Sequence, residues 1–200
     1  IQIGAELYGE AGAEADLEIL GLMLQGLAVC GVKTLQLDIG HVGVYRALAQ
    51  EARLSREVEH QLFGALQAKD SSAVAVLAAG LPIALRDAFA ALPRLYGDRS
   101  VLAEARACLP QLAAVEAALD TLEILDRGLV NVEAAYDLAE LRGYGYHSGV
   151  VFAAYTGGRS HAIAQGGRYD EVGRVFGRAR PATGFSLDLR ELVIAGSDAQ

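Results

Sequence analysis

Leu17, Leu20, Leu24 and Leu27 recur at intervals of three and four between about Glu14 and Cys30. That spacing lines one face of a helix, and Gly31 stands where a helix stop belongs. Before it, Ile1 to Leu7 reads as a strand that turns at Gly9 to Gly12; after it, apolar residues alternate over most of Val32 to Ile39, a half-buried strand. From Ser55 to Gly128 the pattern changes. Ala and Leu dominate, strand formers nearly vanish, and Pro82, Pro93, Pro110 and the turn Gly97-Asp98-Arg99-Ser100 punctuate what reads as several short helices. The longest of these is predicted over Pro110 to Asp126, with Leu112, Val115, Leu119, Leu122 and Leu125 along one face.

From Leu129 to Leu192 glycine, tyrosine and β-formers take over. Tyr146–Tyr155 and Ser160–Gln165 read as strands joined by the turn Thr156-Gly157-Gly158-Arg159, and Gly184–Leu192 as a last strand entering a helix. Strand, helix, strand, helical run and then adjacent strands is an α+β order, predicting an antiparallel sheet with helices on one side. Residues 1–54 and 129–200 are expected to form that core, with 55–128 as a helical insertion. The chain opens on Ile1, mid-strand, so a pairing segment is expected upstream.

Composition narrows the function classes. The chain has 200 residues, 52% of them hydrophobic and 21% charged, which fits a packed domain and excludes a disordered one. Its net charge of −8 argues against wrapping a nucleic-acid backbone, which calls for a surplus of Lys and Arg. Cys30 and Cys108 lie far apart in apolar stretches and are expected to be reduced, buried thiols. The longest apolar run is broken by Glu18, Gln25 and glycines and has no basic segment before it, so a cytoplasmic protein is expected.

Polar residues that could carry chemistry collect in three places. Gln2 and Glu6 are four apart on one strand and so share a face; together they suit an amine or an imidazole N–H, or form an ordinary solvated face. Leu141–Gly149 brings Arg142, Tyr144, Tyr146 and His147 among three glycines. Arg142 offers a planar fork for a carboxylate or phosphate, although a tight turn before a plain strand explains the same residues. Gly166-Gly167-Arg168-Tyr169-Asp170 is expected to follow a strand directly. No phosphate loop, GxSxG elbow or metal-ligand spacing among His41, His60, His147 and His161 is present, so neither a catalytic residue nor a metal or cofactor is expected.

In order, these segments resemble the histidyl-tRNA synthetase family, within the class II synthetase fold. Arg142-Gly143-Tyr144-Gly145-Tyr146-His147-Ser148-Gly149-Val150-Val151-Phe152 is similar to its signature R-G-L-D-Y-Y-T-G-x-V-F, and Gln165–Asp170 to A-G-G-R-Y-D. Gln2–Gly9 resembles Q-x-G-x-E-x-x-G, the closing half of class II motif 2. The resemblance implies a pocket for free histidine. Gln2, Glu6, Arg142, Tyr146, His147, Gly166, Gly167 and Tyr169 would line it, Arg142 facing the carboxylate or an adenylate phosphate and Tyr169 helping to hold the imidazole. His147 stands where the synthetases have the second of two tyrosines.

Two departures from the synthetase pattern separate branches of the family. Motif 3 ends G-L-E-R-L in a synthetase; here Asp188-Leu189-Arg190-Glu191-Leu192 puts Glu191 at the position of the arginine that clamps ATP phosphates. Losing such a charge-assisted contact costs ~2–5 kcal/mol, and Arg190 points about 100° away along a helix. The chain also ends about ten residues after this motif, where a synthetase would continue into an anticodon-binding domain. This combination, with Thr183–Arg190 as T-G-F-S-x-D-L-R, resembles the paralogous branch of ATP phosphoribosyltransferase regulatory subunits. It implies a hetero-oligomer with the short catalytic subunit, self-association, and histidine as feedback effector in the first step of histidine biosynthesis. A fragment of a catalytic synthetase is the alternative.

Overall fold

The computed structural model describes residues 1–157 and 161–192. Seven strands form one sheet in the order β1-β7-β6-β5-β2-β4-β3. They are β1 (Gln2–Tyr8), β2 (Gln36–His41), β3 (Tyr96–Gly97), β4 (Ala134–Asp137), β5 (Val150–Tyr155), β6 (Ala164–Arg168) and β7 (Ala182–Asp188). The sheet is antiparallel except for one pair, β2 with β4, in which Leu37 lies beside Ala134 and Ile39 beside Tyr136. The helices are α1 (Ala13–Val29), α2 (Val42–Glu51), α3 (Arg56–Gln67), α4 (Ser71–Ala78), α5 (Ile83–Ala91), α6 (Ser100–Cys108) and α7 (Ala113–Gly128). A further helix begins at Leu189.

Register sorts the side chains of the sheet into two unlike faces, because strand side chains alternate. Leu37, Ile39, Val150, Phe152, Ala154, Ala164, Phe185 and Leu187 are buried, and join Ile19, Leu20, Met23 and Leu27 of α1 and Val115, Leu119 and Leu122 of α7 in one core. That core runs on without a break into the helical stretch through Tyr45, Leu48, Leu62, Leu66 and Phe89. The opposite face carries Gln2, Glu6, Gln36, Asp38, Gln165, Ser186 and Asp188, with glycines between them. Two layers, sheet and helices, therefore leave a polar face of the sheet uncovered.

Several sequence expectations need correction. The second strand starts at Gln36 rather than Val32, and Leu35 ends the loop that α1 enters. Tyr146 to Gly149 is not strand: Tyr146 and His147 N–H both donate to the Gly143 carbonyl, winding a turn whose Gly143 has a φ of 65°, in the left-handed region. Gly166, Gly167 and Arg168 lie inside β6 rather than after it, while Ser160 and the Gly158-Arg159 half of the expected turn lie outside the described residues. The helix expected from Pro110 begins at Ala113. Cys30 and Cys108 are exposed, because one is the C-cap of α1 and the other the last residue of α6, where apolar neighbours in sequence do not cover the end of a helix. No helix among the described residues is long and apolar enough to cross a membrane.

Candidate functional site

The uncovered face holds a cavity of about 370 Å³, within the range of small-molecule sites (~300–1,000 Å³). β1 supplies Glu6, β2 Asp38, β5 Val151 and Ala153, β6 Gln165 and Gly166, and β7 Gly184 and Ser186, so the floor is a stretch of five adjacent strands. The segment from Glu140 to His147 and the residue after β6, Tyr169, form the wall. A second cavity adjoins it, sharing Arg142, Gln165 and Ser186 and adding Gln2, Tyr155, His161 and Asp188.

The wall is aromatic. The rings of Tyr146 and Tyr169 stack with centroids 4.9 Å apart, and His147 meets Tyr146 edge-on at 5.2 Å. Tyr169 is buried, whereas Tyr146 is 49% exposed and presents its outer face to the opening. His147 Nδ1 lies 3.2 Å from the Arg168 carbonyl, an acceptor, so Nδ1 carries the proton and Nε2 keeps its lone pair. Burial pulls the His147 pKa down, holding the ring neutral.

The floor is acidic. Burial raises the pKa of Glu6 and of Asp38, and Asp38 accepts a 3.1 Å hydrogen bond from Gln36 Nε2. Arg142 Nη2 reaches Tyr155 Oη at 2.7 Å and Glu140 Oε2 at 3.2 Å; burial disfavours its charge, but these two partners more than offset it and the pKa rises. Counting both cavities, the described residues offer four carboxylates, Glu6, Asp38, Glu140 and Asp188, against the single guanidinium of Arg142. Such a site attracts an amine or an imidazole N–H and repels a polyphosphate.

Glycine makes the room. At Gly184 a Cβ would run into the Glu6 carboxylate and the Ala5 carbonyl, so only glycine lets Glu6 lie flat across β7. On β6, Gly167, which pairs with Gly184, does the same on the cavity side, where a side chain would come within 2.9 Å of the His147 ring. Gly166 alternates to the helix side, where its missing Cβ makes room for the Phe152 ring, and it lines the cavity only through its main chain.

Of the sequence candidates, Glu6, Arg142, Tyr146, His147, Gly166 and Tyr169 come together around the main cavity, Gly167 lies under His147, and Gln2 faces the adjoining cavity. Asp38, Glu140, Gln165, Gly184 and Ser186 were not singled out from the sequence. Alternation alone could have flagged Asp38, a lone carboxylate between Leu37 and Ile39. Arg168 points the other way, onto the helix face. It pairs with Asp16 of α1 at 3.0 Å and with Asp170 at 3.1 Å, and donates to the Glu10 and Gly12 carbonyls, pinning the entry to α1 against β6. Glu191 Oε2 lies 2.7 Å from His161 Nε2, beside the second cavity. No group of three or more metal-ligating side chains occurs among the described residues.

Comparison with known proteins places the family and the fold. The ATP phosphoribosyltransferase regulatory subunit of Thiobacillus denitrificans is 80% identical over 200 residues, all of this chain and 62% of the relative. A solved structure described as an ATP phosphoribosyltransferase regulatory subunit/histidyl-tRNA synthetase from Bacillus halodurans C superposes with a TM-score of 0.86 at 30% identity, over 97% of this chain and 52% of that one. The ATP phosphoribosyl transferase (HisG:HisZ) complex of Thermotoga maritima contains a chain of the same fold, TM-score 0.69 at 18% identity, covering 93% of this chain and 65% of that one. This chain thus spans between about half and two thirds of the length of these relatives. The family model described as histidyl-tRNA synthetase matches residues 1–192, nearly the whole sequence. With its class II synthetase-like α+β fold and the motifs at the cavity, the chain belongs to the histidyl-tRNA synthetase family.

Proposed function

We propose that this chain is the synthetase-like part of a regulatory subunit of ATP phosphoribosyltransferase that catalyses no reaction of its own, and that its cavity takes free histidine. The observation that carries this reading is Glu191. It stands at the position of the motif 3 arginine and is engaged with His161 at 2.7 Å, next to a cavity that already holds an excess of carboxylates. An adenylate-forming site needs cationic partners for a triphosphate, and here the charge has the opposite sign. The name of the 80% identical relative supports the same branch.

In this reading the ammonium and imidazole N–H groups of histidine meet Glu6, Asp38 and Gln165, its carboxylate meets Arg142, and its ring lies against Tyr146, His147 and Tyr169. Gly167 keeps the floor open under His147, Gly166 offers its main chain to the cavity, and Gln2 closes the side toward the adjoining cavity. Residues 1–54 and 129–200 serve as the ligand-binding core and 55–128 as the helical insertion. The protein works in the cytoplasm, self-associates and joins the short catalytic subunit in a hetero-oligomer. Histidine exerts feedback by binding one quaternary state more tightly than another.

The test uses the full-length protein. Tagged protein is expected to retain the short catalytic subunit, and calorimetry to register histidine binding that Glu6→Gln weakens roughly 10- to 100-fold, the loss of one hydrogen bond to a charged group. A protein that neither captures that subunit nor binds histidine refutes the proposal.

A further inference from the structure

The segment that carries Tyr146 and His147 has no strand of its own, yet it must hold two rings against the cavity. On the sheet side, Ser148 N–H donates to the Arg168 carbonyl and Ser148 Oγ bonds Asp170 at 3.0 Å. On the other side the partner comes from a helix. Arg46, on α2, donates to the carbonyls of Tyr144 (3.1 Å), His147 (3.0 Å) and Ser148 (3.4 Å), and its guanidinium lies 5.0 Å from the centroid of the Tyr144 ring. Three carbonyls of a turn converging on one guanidinium fix its curvature, since a guanidinium is a rigid planar fork.

The same turn is tied one helix further out. Tyr144 Oη donates to Glu59 Oε1 on α3 at 2.7 Å, and Tyr45 Oη donates to the Glu59 carbonyl at 2.6 Å. The Tyr144 ring also packs edge-on against Tyr45 and tilted against Phe63. Burial raises the Tyr144 pKa to about 12, with the Glu59 hydrogen bond adding to it, so the hydroxyl stays a donor. Tyr144 itself points away from the cavity that its neighbours Tyr146 and His147 line.

We infer that Arg46, Tyr144 and Glu59 are positioning residues that couple helix α3 to the ligand cavity: they set where Tyr146 and His147 stand, so a shift of α3 changes ligand affinity and ligand binding restrains α3. The inference rests on the proposal that the cavity binds histidine, and it names the path by which the helical stretch would feel that binding. Coupling requires an element that both ends bias. The turn of residues 143–149 is that element, hydrogen-bonded to α2 and α3 on one side and forming the cavity wall on the other.

The test takes Tyr144→Phe in the full-length protein, which keeps the ring packing and the Arg46 contact and removes only the hydroxyl. Glu59→Ala, Glu59→Gln and the Tyr144→Phe/Glu59→Ala pair complete a cycle. Expected are histidine affinity about tenfold weaker in Tyr144→Phe and Glu59→Ala, no further loss in the pair, and partial rescue in Glu59→Gln, whose amide oxygen still accepts. Amide hydrogen exchange should rise over 143–149 without a matching rise in the sheet. Unchanged affinity in Tyr144→Phe overturns the inference. If the parent protein binds no histidine, the reading of the cavity falls, and exchange alone decides the inference: faster exchange confined to 143–149 sustains the link, and unchanged exchange removes it.

Discussion

His41 ends β2 and caps α2, accepting the Gly43 N–H at Nδ1 over 3.0 Å. Burial is the main cause that lowers its pKa from 6.5 to about 4, with the Arg46 and Arg168 charges adding to it. Between those two values the unfolded chain binds a proton that the folded chain refuses, so stability present above pH 6.5 is lost as pH falls through the window. His41→Asn keeps a capping acceptor and removes the titration. The stability lost between pH 7 and pH 4.5, measured by urea unfolding, is expected to be smaller in the variant by about 2 kcal/mol; equal losses would contradict the assignment. His41 could be seen in the sequence only as a histidine without metal spacing, since nothing local says that a strand end and a helix start meet there under cover. The case of Arg168 is similar. Motif order made Gly166–Asp170 a ligand segment, but alternation within β6 sends Arg168 to Asp16, where breaking a buried pair would cost ~3–5 kcal/mol.

Elements with strong periodicity were legible: α1 and α7 sit within a few residues of the stretches that leucine spacing marked. β3 and β4 were not, because two and four residues are too few to show alternation and both lie beside helices whose pattern dominates. β4 also breaks the expected antiparallel order, since it reaches β2 only after the long helical excursion. At the cavity the decisive pairing is between β1 and β7, which lays Glu6 beside Gly184. Gly184→Ala is expected to push the Glu6 carboxylate off β7 and weaken histidine binding at least tenfold, read by calorimetry, with Gly4→Ala as a control on general sheet damage, its Cβ meeting the Phe185 carbonyl instead. An intact affinity in Gly184→Ala would show that Glu6 contributes little.

For the molecule as a whole, the proposed non-catalytic role rests on charge sign. The net charge of −8 is mirrored locally in the carboxylate-rich cavities and at Glu191. Histidine-dependent exchange of pyrophosphate into ATP by the full-length protein is therefore expected to be absent, measured with labelled pyrophosphate; sustained exchange would assign the chain to a working synthetase. The sequence could place Glu191 in the motif, but its engagement with His161 emerges only when the end of β7 comes alongside the start of β6. The glycines of the sheet have one more effect. Gly184, and Gly167 paired with it on β6, present hydrogen-bonded main chain on the cavity side of the sheet, so no side chain projects inward at those two positions. Main chain at those positions is held by the sheet's own hydrogen bonds, so the proposed ligand would meet a surface that needs no closing motion of the strands there.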